Sequence, residues 1–186
     1  MQSKKEVKKL LAGSFRELVL KKPVEKITIK EITDGAGVIR VTFYNHFQDK
    51  YELLEWICRE EIFSPARILL SSSMQREAVT FMFTAILRNK DFYSSVARTT
   101  GQNSFESIVQ SLISETLTDY YVENQAGNHT LCSWLTPKWI ADYYAKGLTY
   151  ILMSWIGKGM DIPPEDMVSM YGFVASHSML DLPNEF

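Results

Sequence analysis

Histidine and cysteine are both scarce in this chain of 186 residues, and that scarcity limits what chemistry it can perform. The three histidines, His46, His129 and His177, stand far apart, and no His-Glu-x-x-His helix is present to hold a catalytic metal. Cys58 and Cys132 follow no metal-binding spacing and make no disulfide framework, so they read as small buried hydrophobes in a reducing compartment. A Walker-type glycine loop and a Gly-x-Ser-x-Gly elbow are also missing. The expectation is a protein that is not an enzyme and that carries no metal and no cofactor.

A long apolar run is lacking as well. The stretch Gly147 to Ile156 falls far short of the ~20 apolar residues that span a bilayer. Met1-Gln2-Ser3-Lys4-Lys5 leads into an amphipathic segment rather than into the apolar core of a signal peptide. A cytoplasmic protein with no membrane partner follows, in which the Asn128-His129-Thr130 sequon is idle. No strand-period segment, internal repeat or low-complexity tract is found.

What is present is helical periodicity and a divided charge. Residues 1–50 carry eleven Lys and Arg against six Asp and Glu, whereas residues 51–186 carry nine against sixteen. A basic head on an acidic body directs one end of the molecule toward a polyanion. In the head, Val7, Leu10, Leu11, Phe15, Leu18 and Val19 form one apolar stripe that ends at Lys21-Lys22-Pro23. Thr28 and Glu31 have the spacing of a capping box, and Gly37 closes a two-turn helix over 28–36. A third short helix is expected from Arg40 to Phe47, and Asp49 caps a fourth that runs toward Pro65. Two short helices around a glycine-containing turn, flanked by longer ones, make a helix-turn-helix layout.

The body continues as helices over 74–88, from Asp91, over 104–123, from Thr136-Pro137 to Gly157, and from Pro163-Pro164 onward, with a break at 124–128. The fold class expected is therefore all-α: a helix-turn-helix domain over 1–50 and a helical regulatory and dimerisation domain over 51–186.

The third helix supplies the chemistry. At 100° per residue, Phe43 and Phe47 face inward with Val38, while Val41 and Asn45 point outward. Asn45 suits bidentate pairing with adenine, Val41 a thymine methyl, and Arg40 a guanine. Thr28, Thr42, Tyr44, His46 and Lys50 are suited to phosphate oxygens. Singly, each of these residues also reads as an ordinary solvated or helix-end side chain. Together their spacing points to double-stranded DNA.

The segment from Ile27 to Leu54, with Thr28, Ile32, Ala36-Gly37-Val38, Thr42-Phe43-Tyr44, His46-Phe47, Lys50 and Leu53-Leu54, resembles the DNA-binding signature of the TetR family. Ile39 departs from it, because a capping Ser or Thr usually stands there, a difference of ~0.5–2 kcal/mol if the amides stay uncapped. Thr42-Phe43-Tyr44-Asn45, Phe47-Gln48, Glu52-Leu53-Leu54 and Trp56-Ile57 are further similar to the subset that includes regulators of dihydroxyacetone kinase operons. The resemblance implies a transcriptional regulator whose operator affinity answers to a ligand or a partner protein bound by the body. The sequence names no effector, and it leaves repressor and activator both open.

Two further sets of residues are expected to act in the body. Phe83, Tyr93, Tyr121, Trp134 and Tyr144 are candidate effector-binding residues, with ordinary core packing as the competing reading. Ile140, Tyr143, Tyr144, Gly147, Leu148, Ile151, Leu152 and Trp155, followed by Met167, Met170, Tyr171, Val174 and Ser178, form seams suited to a homodimer interface. Closure of the protomer's own core is the competing account. A two-fold dimer implies a pseudo-palindromic operator.

Overall fold

Residues 4–101, 103–124 and 133–177 are described by a computed structural model. Cys132, the Asn128-His129-Thr130 sequon, the break after Asn124 and Ser178 lie outside the described residues.

Among the described residues the secondary structure is helical throughout. The head comprises α1 (Lys4–Val19), a 3₁₀ turn (Val24–Lys26), α2 (Ile29–Ala36) and α3 (Arg40–Tyr44). The connector α4 (Lys50–Cys58) passes through a π-helical turn (Arg59–Phe63) into α5 (Ser64–Ser71). The body continues with α6 (Gln75–Arg88), α7 (Lys90–Val96), α8 (Phe105–Glu123), α9 (Pro137–Gly157) and α10 (Pro164–Ser176).

The helix starts follow local chemistry. Thr28 accepts from the Glu31 amide while the Glu31 carboxylate accepts from the Thr28 amide, the reciprocal bonds of a capping box. Asp49 accepts from the amides of Tyr51 and Glu52, Ser104 from Ser107, and Thr136 from Trp139. Pro65 does not end the connector. The Ser64 amide donates to Arg59 O, five residues back, and this wider π-turn carries the chain past a residue that would clash in an α-helix.

Head and body share one continuous core. Leu11, Phe15, Ile32, Phe43, Leu53 and Leu54 are fully buried at the head end. From there the rings of Phe15, Phe92, Tyr93 and Phe105 touch in sequence, with centroids 6.4, 5.1 and 5.8 Å apart, and carry the core from α1 through α7 to α8. In the body α8 and α9 pack along their length and α10 lies against α6. Phe83 meets Trp155 edge-on at 5.2 Å, and Trp155 Nε1 donates to Ile162 O at 2.8 Å, closing the α9–α10 turn.

Candidate DNA-binding interface

The turn between α2 and α3 has the backbone that a helix-turn-helix needs. Gly37 takes φ +66°, a left-handed conformation that carries a steric cost for residues with a Cβ, and the Val38 amide returns to Thr33 O at 3.0 Å. Gly35 meets a different need. A Cβ built there would lie 2.3 Å from Ser14 Oγ, so glycine lets α2 sit close on α1. The Asp34-Gly35-Ala36-Gly37 run contains both glycines, but local spacing points only to the second, because the need for Gly35 comes from a helix that is distant in sequence.

α3 is shorter than expected, ending at Tyr44, with Asn45 as its C-cap at φ −71°. The Phe47 amide still reaches Phe43 O at 2.9 Å, so the chain keeps turning and Phe47 remains buried beside Phe43. Arg40, Val41, Tyr44 and Asn45 are exposed, and Thr42 and His46 are half-buried. The Arg40 guanidinium lies over the Tyr44 ring and donates to its hydroxyl at 3.1 Å, which positions it on the outer face. Ile39 makes no side-chain cap, as its side chain dictates, and stands 71% exposed at the rim.

Thr28 is exposed, but its hydroxyl is engaged with Glu31, donating to Oε2 at 2.8 Å. Glu31 in turn pairs with Lys22. That ion pair and the two bonds from Thr28 hold its carboxyl at about 2, well below the usual carboxylate range. Burial, with the nearby ammoniums of Lys8 and Lys4, pushes the His46 pKa down. Lys50 departs from the expectation of a freely extended ammonium. It donates to Glu25 O at 2.8 Å and Ile27 O at 2.9 Å, tying the 3₁₀ turn to the start of α4. Its burial there lowers its pKa.

The five candidate effector residues are not brought into one pocket. Phe83 and Tyr93 are fully buried in different parts of the core, and Trp134 is 69% exposed. Tyr121 and Tyr144 are half-buried and lie near Tyr171, whose hydroxyl burial pushes up to about 12. An apolar cavity of about 50 Å³ does lie between α5, α6, α8, α9 and α10, walled by Phe63, Leu70, Met82, Ile113, Leu148 and Tyr171.

The seam on α9 and α10 also divides. Leu148, Trp155 and Met167 are buried in the protomer's own core, because α9 packs that flank on α8 and on the core rings. Ile140, Tyr144, Ile151 and Tyr171 lie half-buried at the border, while Gly147 and Val174 face outward. The outer face of α9 carries Trp139, Tyr143 and Tyr150, and that of α10 carries Met170, all exposed. Trp139 and Tyr143 stack at 6.0 Å, and a Cβ on Gly147 would touch nothing within 4 Å. The seam read from spacing includes Tyr143 and Met170 but not Trp139 or Tyr150, because α9 is apolar on more than one flank.

A short recognition helix presenting Arg40, Val41 and Asn45 outward, set by α1 and α2 on a larger helical body, defines a helix-turn-helix DNA-binding regulator. The comparisons with known proteins give the particular family. Residues 15–57 match the family described as bacterial regulatory proteins of the tetR family, and residues 75–175 match its transcriptional regulator C-terminal region. The chain belongs to the TetR family of DNA-binding transcriptional regulators, not to a family of enzymes.

Among relatives, the HTH-type dhaKLM operon transcriptional activator DhaS of Lactococcus lactis is 39% identical over 49 residues, a match spanning 26% of either chain. Among solved structures, the dihydroxyacetone kinase operon activator DhaS superposes with a TM-score of 0.58 at 21% identity, over 90% of this chain and 93% of that one. NalD of Pseudomonas aeruginosa, the secondary repressor of the MexAB-OprM multidrug efflux pump, gives 0.54 at 17% identity over 90% and 92%. The fatty acid degradation regulator FadR of Bacillus halodurans gives 0.55 at 12% identity over 89% and 92%. At these identities the structures share the fold. No helix of the described residues is long and apolar enough to cross a membrane.

Proposed function

We propose that the chain reads a specific operator through α3 as a homodimer, and that a ligand or partner protein bound by the body sets its operator affinity. The single observation that carries the reading is the division of α3: Phe43 is fully buried while Arg40, Val41 and Asn45 stand on the opposite, solvent side. Arg40 and Asn45 contact base edges and Val41 a thymine methyl, whereas Thr42, Tyr44 and His46 meet phosphates. Thr28 and Lys50 serve mainly by holding the start of α2 and the 3₁₀ turn in register. The exposed Trp139, Tyr143, Gly147 and Tyr150 face supports the dimer, and a two-fold dimer requires a pseudo-palindromic operator.

The 50 Å³ cavity is well below the ~300–1,000 Å³ of ordinary ligand pockets. That size favours gating by a partner protein, or by a ligand that opens the body as it enters. The 49-residue match to a dhaKLM operon activator fits the partner-gated reading, in which the chain acts as an activator. Fluorescence anisotropy with genomic fragments tests the function. Tight binding by the wild type that falls to the non-specific level in Asn45→Ala supports it, and equal affinity for every fragment contradicts it.

A further inference from the structure

A second recess lies away from the outer face of α3, where the end of α1 meets the end of α7. It encloses about 340 Å³, within the range of small-molecule sites, and is walled from the head by Lys21, Lys22 and Glu25 and from the body by Ser95, Arg98 and Thr99. Its cations outnumber its one carboxylate three to one. Lys22 is shared with Glu31, whereas Lys21 and Arg98 have no ion-pair partner among the described residues. Thr99 is only 5% exposed, and its buried hydroxyl has no hydrogen-bond partner. That hydroxyl is itself closed off from solvent, so Thr99 forms part of the wall and the exposed side chains of Lys21 and Arg98 are the groups free to meet a ligand.

Two helix C-termini open on this recess, and their carbonyls would ordinarily repel an anion. Here they are largely engaged by the chain's own turns. Leu18 O accepts from the amides of both Lys21 and Lys22, Ser95 O from Arg98, and Val96 O from Thr99. The side chains therefore set the character of the crevice.

We propose that the crevice between α1 and α7 binds a compact metabolite carrying a phosphate or carboxylate group. Arg98 and Lys21 clasp the anionic group. A bound anion ties the head to the body, because its ligands come from both. The effect of that tie on operator affinity rests on the DNA-binding reading; the binding itself does not.

The test is calorimetric titration of the intact protein, without DNA, with inorganic phosphate, pyrophosphate and citrate at constant ionic strength. Saturable binding of at least one is expected. Arg98→Ala should weaken it by about tenfold, as loss of a charge-assisted contact does. Lys21→Ala should weaken binding several-fold without lowering the melting temperature of the free protein, because the Lys21 ammonium has no ion-pair partner among the described residues. Arg40→Ala should leave anion binding intact. Heats no different from those of chloride would overturn the proposal. So would binding that survives Arg98→Ala and Lys21→Ala but is lost in Arg40→Ala, since the anion would then sit on the DNA face. An operator that goes unbound while phosphate still titrates would overturn the DNA-binding reading and leave this site standing.

Discussion

Lys50 stands where a phosphate-seeking ammonium is expected, yet two of its three N–H donors go to Glu25 O and Ile27 O. Lys50→Ala should therefore destabilise the head by about 2 kcal/mol, the scale of hydrogen bonds from a charged donor, and lower operator affinity through that loss. Denaturant unfolding followed through the head separates this from a bare loss of charge, which would flatten the salt dependence and leave stability alone. Ile39→Ser should act in the opposite sense, adding ~0.5–1 kcal/mol by capping amides that no side chain now reaches. Glu31 gives a pH signature. Its carboxyl is lowered from 4.5 to about 2 in the fold, so its contribution is complete above pH 4.5 and disappears as pH falls toward 2. Acid unfolding of Glu31→Gln should lose that segment of the pH dependence, whereas an unchanged profile would mean that the Lys22 pair does not hold in solution.

The helices were legible in the sequence wherever their chemistry is local. The Thr28 and Asp49 caps, the helix starts at Ser104 and Thr136-Pro137 and the Gly37 turn depend on residues within a few positions, and each formed where its spacing placed it. What was not legible depends on packing. The connector continues beyond Pro65 because α8 lies alongside it. Arg59 pairs with Glu115 at 2.6 Å, and Arg67 with Asp119 at 3.0 Å and Glu123 at 3.1 Å, a ladder along one face of α8. Likewise, periodicity marks α9 as apolar without saying which flank its own chain covers. The two flanks now make opposite predictions. Tyr143→Glu or Tyr150→Glu should yield folded monomers by analytical ultracentrifugation, since both side chains face outward. Trp155→Ala should instead cost ~3–5 kcal/mol, by emptying a core site and stripping Ile162 O of its donor. A wild-type protein that is monomeric at micromolar concentration would contradict the dimer.

At the scale of the molecule, the basic head and acidic body follow from one division of labour. The head's cations serve a polyanion, and the body carries its excess carboxylates away from it. The exposed side of α3 was readable in advance because the spacing of Phe43 and Phe47 decides which side of so short a helix turns inward. The body's site was not, because aromatic residues at helical spacing fill a core as readily as they line a pocket, and Phe83 and Tyr93 turned out to be core. The ring contacts from Phe15 through Phe92 and Tyr93 to Phe105 join head and body in one core. The most direct measurement of the central claim is to select random DNA fragments with the purified protein and sequence those retained. A regulator built as described enriches a pseudo-palindrome with half-site centres about 34–36 Å apart or a multiple of that, and Arg40→Ala or Asn45→Ala relaxes preference at one or two base pairs per half-site, each worth about 1–3 kcal/mol. Retained fragments that share no motif, or a motif unchanged by both substitutions, would contradict it.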